Sequence, residues 1–126
     1  MLILGHKLIP FETIYTVKSL DDIGYSIPNS TVVFNYNEEL MQYCVENQIN
    51  FGIYAHDIKS AIMANALGAK YVLTMGLNAK KLQEIAENYM FDSKIMQVIS
   101  NEDEISAVAL NGIDGVVFED IVKGLL

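Results

Sequence analysis

Residues 51–74 read FGIYAHDIKSAIMANALGAKYVLT and contain a complete strand–helix–strand unit. The apolar run at 50–55 predicts a strand that is buried on both faces, and the run at 69–75 predicts another. Between them, residues 57–67 carry small and apolar side chains at helical spacing. Because parallel strands need a crossover between them, this stretch predicts two parallel strands joined by a helix.

The same unit recurs from residue 31 onward. Predicted strands lie at 31–36, 50–55, 69–75, 93–99 and 113–118, with helices at 37–48, 57–67, 78–90 and 101–110. Residues 119–126 are predicted as a short helix or tail. The pattern predicts one α/β domain over residues 1–126, with a mostly parallel sheet of five or six strands flanked by helices.

Two architectures fit this pattern. We expect an open three-layer sheet with helices on both faces, because it buries both faces within one chain. The alternative is a half-barrel of βα units, since a complete eightfold barrel takes about 200 residues or more.

The first 30 residues differ from the repeats and are predicted as an N-terminal strand and lid segment. Residues 11–17 alternate in hydrophobicity and predict an extra strand. Residues 19–26 predict one or two helical turns, and 27–30 a turn.

Cap residues mark the ends of the predicted helices. The predicted N-caps are Asn37, Asp57, Asn78 and Ser100, the last paired with Asp103 in a capping box. Gly68 and Gly112 follow helix ends, where a left-handed backbone is favoured.

Composition excludes several functions. The 126 residues are 52% hydrophobic and carry 16 acidic against 8 basic side chains, a net charge of −8. Binding to nucleic acid needs clustered lysines and arginines, so neither a nucleic acid nor an anionic membrane surface is an expected partner. The single cysteine, Cys44, lies on the apolar stripe of helix 37–48 and is predicted to be a buried structural thiol.

The sequence also predicts a cytoplasmic protein. No apolar run approaches the 18 residues that a membrane-spanning helix needs. The stretch MLILGHKLIP at 1–10 lacks the basic lead-in and the small-residue cleavage site of a signal peptide.

Residues 53–75, IYAHDIKSAIMANALGAKYVLTM, resemble the fifth and sixth βα units of the 2-keto-3-deoxy-6-phosphogluconate aldolase family of TIM barrels. Residues 94–124, KIMQVISNEDEISAVALNGIDGVVFEDIVKG, resemble the last two units of that family in spacing. The resemblance covers about the last 75 residues and implies a scaffold of βα units.

The chemistry of that family is not carried over. The position of its Schiff-base lysine falls on Leu73, and the threonine of its strand-end turn falls on Asp57. Its two phosphate loops fall on residues 100–102 and on Glu119 and Asp120, whose carboxylates would repel a phosphate. The resemblance therefore implies no aldolase activity.

Ligands of parallel α/β folds bind outside the carboxyl ends of the strands. The ligand-binding candidates at these ends are Asn35, Thr74, Ser100 and Glu119. His56 and Asp57 are the catalytic candidates, as a general base with its carboxylate. The alternative is that Asp57 caps the helix that follows and His56 stands at the strand exit.

Carboxylates available to a divalent metal are Asp57, Glu119 and Asp120, with Glu102 and Asp103 if their loops meet. No Asp-x-Asp spacing or histidine ligand set accompanies them. Neither a metal nor another cofactor is predicted. His6 is interpreted as a surface or turn histidine.

Apolar chain segments favour association. NYMF at 88–91, MLIL at 1–4 and GLL at 124–126 are predicted to leave large side chains exposed, as at an interface. Because no nucleotide-binding or nucleophile motif is present, we expect a non-enzymatic module that binds itself or a protein partner. Self-association is expected to give a homodimer. The alternative is a small-molecule or divalent-metal-dependent enzyme with its site at the carboxyl ends of the strands.

Overall fold

The computed structural model describes residues 1–24 and 28–126. The strands are Leu2–Leu4 (β1), Ile14–Thr16 (β2), Thr31–Asn35 (β3), Phe51–Tyr54 (β4), Tyr71–Thr74 (β5), Lys94–Ile99 (β6) and Gly115–Phe118 (β7). The helices are Leu20–Ile23 (α1), Glu38–Glu46 (α2), Ile58–Ala66 (α3), Gly76–Asn88 (α4) and Ile105–Leu110 (α5). Two 3₁₀ segments are Glu102–Glu104 and Glu119–Leu125, and the second is the C-terminal segment.

The strands form one parallel sheet in the order β1-β7-β6-β5-β4-β3-β2. From β2 to β7 each strand lies beside the next one along the chain. Right-handed crossovers between such strands place every helix on the same face. The sheet curls into a half-barrel with the helices on its convex face.

Two details of the predicted architecture are wrong. The sheet has seven strands and not five or six, because β1 has only three residues and is too short for a periodicity signal. The open three-layer sheet does not form, since the direction of winding never reverses along the sheet. The α/β class and the parallel sheet are confirmed, and the half-barrel alternative describes the curvature.

Alternation along the strands separates two clusters of buried side chains. In β3, Val32 and Phe34 pack against the helices, whereas Val33 points to the concave face. The buried side chains on the concave face form the concave cluster, which also contains Tyr54, Tyr71, Leu73, Met96, Val98 and Val117 from the neighbouring strands. Both faces are buried, which explains why the strands are almost continuously apolar.

The C-terminal segment covers the concave face in place of a helix. Val122 and Leu125 are buried in the concave cluster. Gly124 lies so close to β2 that a Cβ atom there would stand 3.0 Å from the hydroxyl oxygen of Thr16. The segment predicted as a short helix or tail therefore spans the strand ends from β7 to β2, with a kink at Val122.

Most of the predicted helix ends are confirmed. The side chains of Asn37 and Asp57 accept hydrogen bonds from backbone N–H groups in the first turns of α2 and α3. Gly68 and Gly112 have φ angles of +86° and +70°. These are the left-handed conformations that end α3 and α5.

Two predicted caps are wrong. Helix α4 begins at Gly76, so Asn78 lies within its first turn. A Cβ atom on Gly76 would stand 2.8 Å from the amide nitrogen of Gln97, so glycine allows α4 to start close to β6. Asn101, and not Ser100, caps the 3₁₀ segment before α5, because the side-chain oxygen of Asn101 accepts a hydrogen bond from the backbone N–H of Asp103, and Glu104 accepts the backbone N–H of Asn101 in return.

The N-terminal segment contains short elements. The extra strand predicted at 11–17 appears as β2, and the helical turns predicted at 19–26 appear in part as α1. Residues 25 and 26 of those turns and residue 27 of the turn predicted at 27–30 lie outside the described residues.

The C-terminal segment is expected to stabilise the fold through Leu125, which is 7% exposed. Replacing Leu125 by Ala should lower the free energy of unfolding by about 2–4 kcal/mol, because it removes apolar contacts and leaves a cavity. Urea denaturation followed by circular dichroism measures the change. Leu126→Ala is the control, since Leu126 is 55% exposed and should change stability by less than about 0.5 kcal/mol. Equal stabilities of the two variants would contradict this role of the segment.

Candidate functional site

The carboxyl ends of the strands surround a mouth that the chain itself fills. Val122 and Leu125 occupy the concave cluster below it, and the amide of Asn35 donates a 3.4 Å hydrogen bond to the carbonyl oxygen of Leu125. Parallel α/β folds bind their ligands at this end of the sheet. In this protein the centre of that end is covered by the C-terminal segment.

Two ligand-binding candidates do not form an open site. Asn35 stands at the end of β3 and holds the C-terminal segment. Thr74 is fully buried, and alternation from Val72 places it on the helix-covered face of the sheet. Its hydroxyl group is 3.5 Å from the carbonyl oxygen of Met75.

His56 and Asp57 have separate roles. A carboxylate oxygen of Asp57 accepts a 2.7 Å hydrogen bond from the backbone N–H of Ser60 and caps α3. Hydrogen bonding to Ser60 also lowers the pKa of Asp57. The ring of His56 packs against Tyr54, with 4.7 Å between the ring centres. The two side chains diverge, as in the alternative interpretation of the sequence.

A different histidine is paired with a carboxylate. Nε2 of His6, just beyond β1, lies 2.7 Å from a carboxylate oxygen of Glu102. Nδ1 of the same ring accepts a 3.1 Å hydrogen bond from the backbone N–H of Leu8, so Nε2 carries the proton and donates it to Glu102. The ring also meets Phe118 edge-on, and its side chain is only 13% exposed.

Ser100 and Glu119 belong to the same side of the mouth. Their side chains approach to 3.3 Å, with the hydroxyl group of Ser100 donating to the carboxylate. The three strands that end here, β1, β7 and β6, are neighbours in the sheet. Asp120 points elsewhere and lies 3.3 Å from the ammonium group of Lys123.

The structure thus groups His6, Ser100, Glu102 and Glu119 at one rim of the mouth, beside a cleft of about 340 Å³ that His6, Glu102 and Phe118 help to line. A neutral histidine whose proton is held by a carboxylate can act as a base through its other nitrogen. Here that nitrogen is engaged by Leu8. Sequence reasoning missed His6, because its position at a strand exit depends on β1, a three-residue strand that pairs only with β7.

Metal ligation has little support in the described ranges 1–24 and 28–126. These residues hold no group of three or more His, Cys, Asp or Glu side chains arranged around a common point. Cys44 is buried, and burial raises the pKa of its thiol group to about 11, so the thiolate form is disfavoured.

A second polar cluster lies at the opposite end of the sheet, around Glu12. Its carboxylate accepts hydrogen bonds from Lys70 at 2.5 Å, from Thr31 at 2.7 Å and from the phenol group of Tyr71. Burial raises the pKa of Glu12, but the hydrogen bonds from Lys70, Thr31 and Tyr71 lower it by more, and the net shift is downward. Glu12 thereby ties the start of β2 to the starts of β3 and β5.

Glu12→Gln should lower the free energy of unfolding at neutral pH by about 1.5–3 kcal/mol, since these hydrogen bonds are made to a charged group. The pKa of Glu12 is lower in the folded state, so its stabilisation is present above about pH 4.3 and is lost as the pH falls through the folded pKa. The difference in the free energy of unfolding between wild type and Glu12→Gln should therefore become smaller as the pH is lowered. Urea denaturation between neutral and acid pH measures it, with the exposed Glu87→Gln as control. A deficit that stays constant with pH would contradict a charged Glu12.

Helix α3 exposes four large apolar side chains. Ile58, Ile62, Met63 and Leu67 are 37–42% exposed although α3 also packs on the sheet. With Ala66 they form the α3 surface. A surface helix normally carries several charged and polar residues on its outer side, whereas α3 exposes a single charged residue there, Lys59. Sequence reasoning did not select this helix as an interface, although its large apolar residues at 58, 62, 63 and 67 were the signal that could have indicated one.

The apolar segments predicted to be exposed are exposed only in part. Tyr89 and Met90 are 75% and 86% exposed beyond the end of α4, whereas Phe91 packs against the convex core. Met1 and Leu126 are more than half exposed, but Leu125 is buried.

The sequence matches no model of a known protein family, and no curated protein is significantly similar to it. In the part of the chain that the structure describes, no helix is both long and apolar enough to cross a membrane. Fold and surface together define a small α/β half-barrel with a filled mouth and an apolar outer helix.

Proposed function

We propose that this protein is a non-enzymatic module that acts by association through the α3 surface. The observation that carries the proposal is the exposure of Ile58, Ile62, Met63 and Leu67 on one helix. Large apolar side chains that are contiguous at a surface are typical of protein interfaces.

Charge supports this choice of surface. Helix α3 contains no Asp or Glu and a single lysine, Lys59, in a chain whose net charge is −8. Interface cores are depleted of charged residues in the same way. The acidic side chains elsewhere keep other faces soluble and apart.

The filled mouth supports a role without catalysis. Enzymes on parallel α/β folds use the strand ends as their site, and here Val122, Leu125 and Asn35 fill or seal that region. The proposed setting is the cytoplasm, where a lone cysteine stays reduced. The acidic balance speaks against nucleic acid and anionic membranes as partners.

Light scattering tests the proposal directly. The wild-type chain should show a mass above the 14.1 kDa of one copy as its concentration rises. Ile62→Lys should weaken the association about thirtyfold or more, because a lysine at the centre of an apolar interface costs roughly 2 kcal/mol or more. Ile62 is 42% exposed, so the monomer should still fold.

Leu110→Lys is the matched control, since Leu110 is 89% exposed on α5 and lies outside the α3 surface. It should leave the mass unchanged from wild type. A wild-type mass of one copy at every concentration would overturn the proposal, as would equal effects of the two lysine variants.

A second candidate function is favoured by one observation, the 2.7 Å contact between His6 and Glu102 beside a cleft. In this alternative the protein is a small-molecule or metal-dependent enzyme with acid–base chemistry at that rim. The pair differs from the predicted His56–Asp57 pair, whose members diverge.

A fragment library tested by NMR distinguishes this alternative. Binding at the rim should shift the amide signals of residues 5–7 and 100–104 together, and His6→Ala should remove the response. His56→Ala is the control and should leave the response unchanged. Absence of any shift at the rim with the wild-type chain would reject the alternative.

A further inference from the structure

Helices α3 and α4 lie next to each other on the convex face of the sheet. They follow β4 and β5, which are neighbours in the sheet, and run side by side in the same direction. A groove of about 580 Å³ runs between their first turns, lined by Asp57, Ile58, Lys59, Asn78, Lys81 and Leu82. Any partner that covers α3 therefore also meets α4.

The charges on α4 are arranged in two halves. Lys80 and Lys81 lie in its first half, and Glu84 and Glu87 in its second. All four side chains are exposed. In residues 1–24 and 28–126, no ion pair involves Lys81 or Glu84. A partner with the opposite order of charges would pair with both of them.

Position along the two helices links these charges to the apolar residues. Met63 and Ala66 lie six and nine residues past the cap Asp57. Lys81 and Glu84 lie six and nine residues past Met75, the cap of α4. We call the number of residues past the cap the level of a residue. A two-fold rotation that exchanges levels six and nine places the large Met63 against the small Ala66 of the partner. On α4 it places the cation Lys81 against the carboxylate of Glu84.

We infer that a second copy of this chain covers the α3 surface, with the two α3 helices antiparallel and Lys81 opposite the partner's Glu84. The inference rests on the proposed function and adds the identity and orientation of the partner. The rotation makes each contact twice, because a two-fold interface pairs i with j and j with i. Ile62 meets the partner's Leu67 in the same arrangement.

A parallel arrangement is disfavoured by like charges. A two-fold axis along the helices would place α4 beside α2 of the partner. Glu46 lies nine residues past the cap Asn37, the same number of residues as Glu84 lies past the cap of α4. These carboxylates would face each other, whereas the antiparallel arrangement sets Glu46 at the level of the partner's Tyr43.

The interface is small. Helix α3 has nine residues, about 13 Å of helix, and neighbouring helices lie about 10 Å apart. Such a face falls at the low end of specific interfaces, below about 1,200 Å² in total, which is typical of weak and transient complexes. The dissociation constant is therefore to be measured by sedimentation up to high protein concentration.

Charge reversal with mixing tests the orientation. Lys81→Glu and Glu84→Lys should each raise the dissociation constant roughly tenfold, since each replaces two attractions by two repulsions. An equimolar mixture of the two variants should form heterodimers at least as tight as the wild-type dimer. The double variant K81E/E84K should regain the wild-type constant, because the order of charges is then reversed on both copies.

Matched controls separate local pairing from net charge. Lys80→Glu and Glu87→Lys change the net charge by the same amounts, but in the antiparallel dimer their levels face Ile85 and Asn78 of the partner. Each should change the dissociation constant less than about twofold. Restored association in the mixture, with these controls unaffected, supports the inference.

Other outcomes would overturn either the geometry of the dimer or the proposed function as a whole. A wild-type dimer that Ile62→Lys dissociates, but that Lys81→Glu and Glu84→Lys leave unchanged, would overturn the antiparallel geometry and keep association through α3. A wild-type chain that never dimerises would overturn both the geometry and the proposed function.

Discussion

A parallel sheet whose strands follow the chain order can receive helices on one face only. Each right-handed crossover returns on the same side, so α1–α5 cover the convex face and leave the concave face without a helix. That face is nevertheless apolar and needs cover. Side chains of opposite strands fill it from within, and Val122 and Leu125 of the C-terminal segment complete it.

The covering of the concave face by the C-terminal segment has a consequence for function. The same segment that buries the concave face lies across the strand ends, where a parallel α/β fold would place its ligand. Polar groups at those ends are left at the rim, with His6 and Glu102 paired on one side and Asn35 holding the segment on the other. We therefore propose association as the role, because α3 exposes four large apolar side chains.

The sequence predicted the repeated units well and the edges poorly. Strands β3–β7 are long apolar runs bounded by caps and glycines, and these local signals survive in the fold. Strand β1 has three residues and forms only because β7 offers a free edge. Asn78 failed as a cap since Gly76 lets α4 start two residues earlier, close to Gln97. Neither of these contacts is local in sequence.

The candidate site shows the same difference between contacts that are local in sequence and contacts that are not. Asp57 could be assigned as a cap from its position before α3, because capping depends on neighbours within one turn. The meeting of His6 with Glu102, and of Glu12 with Lys70 and Tyr71, joins residues far apart in the chain. Hydrophobic periodicity thus determined the class of fold, an α/β domain with a parallel sheet. Strand order and curvature alone decided which polar groups meet and that the mouth is filled, because these depend on which strands are neighbours in space.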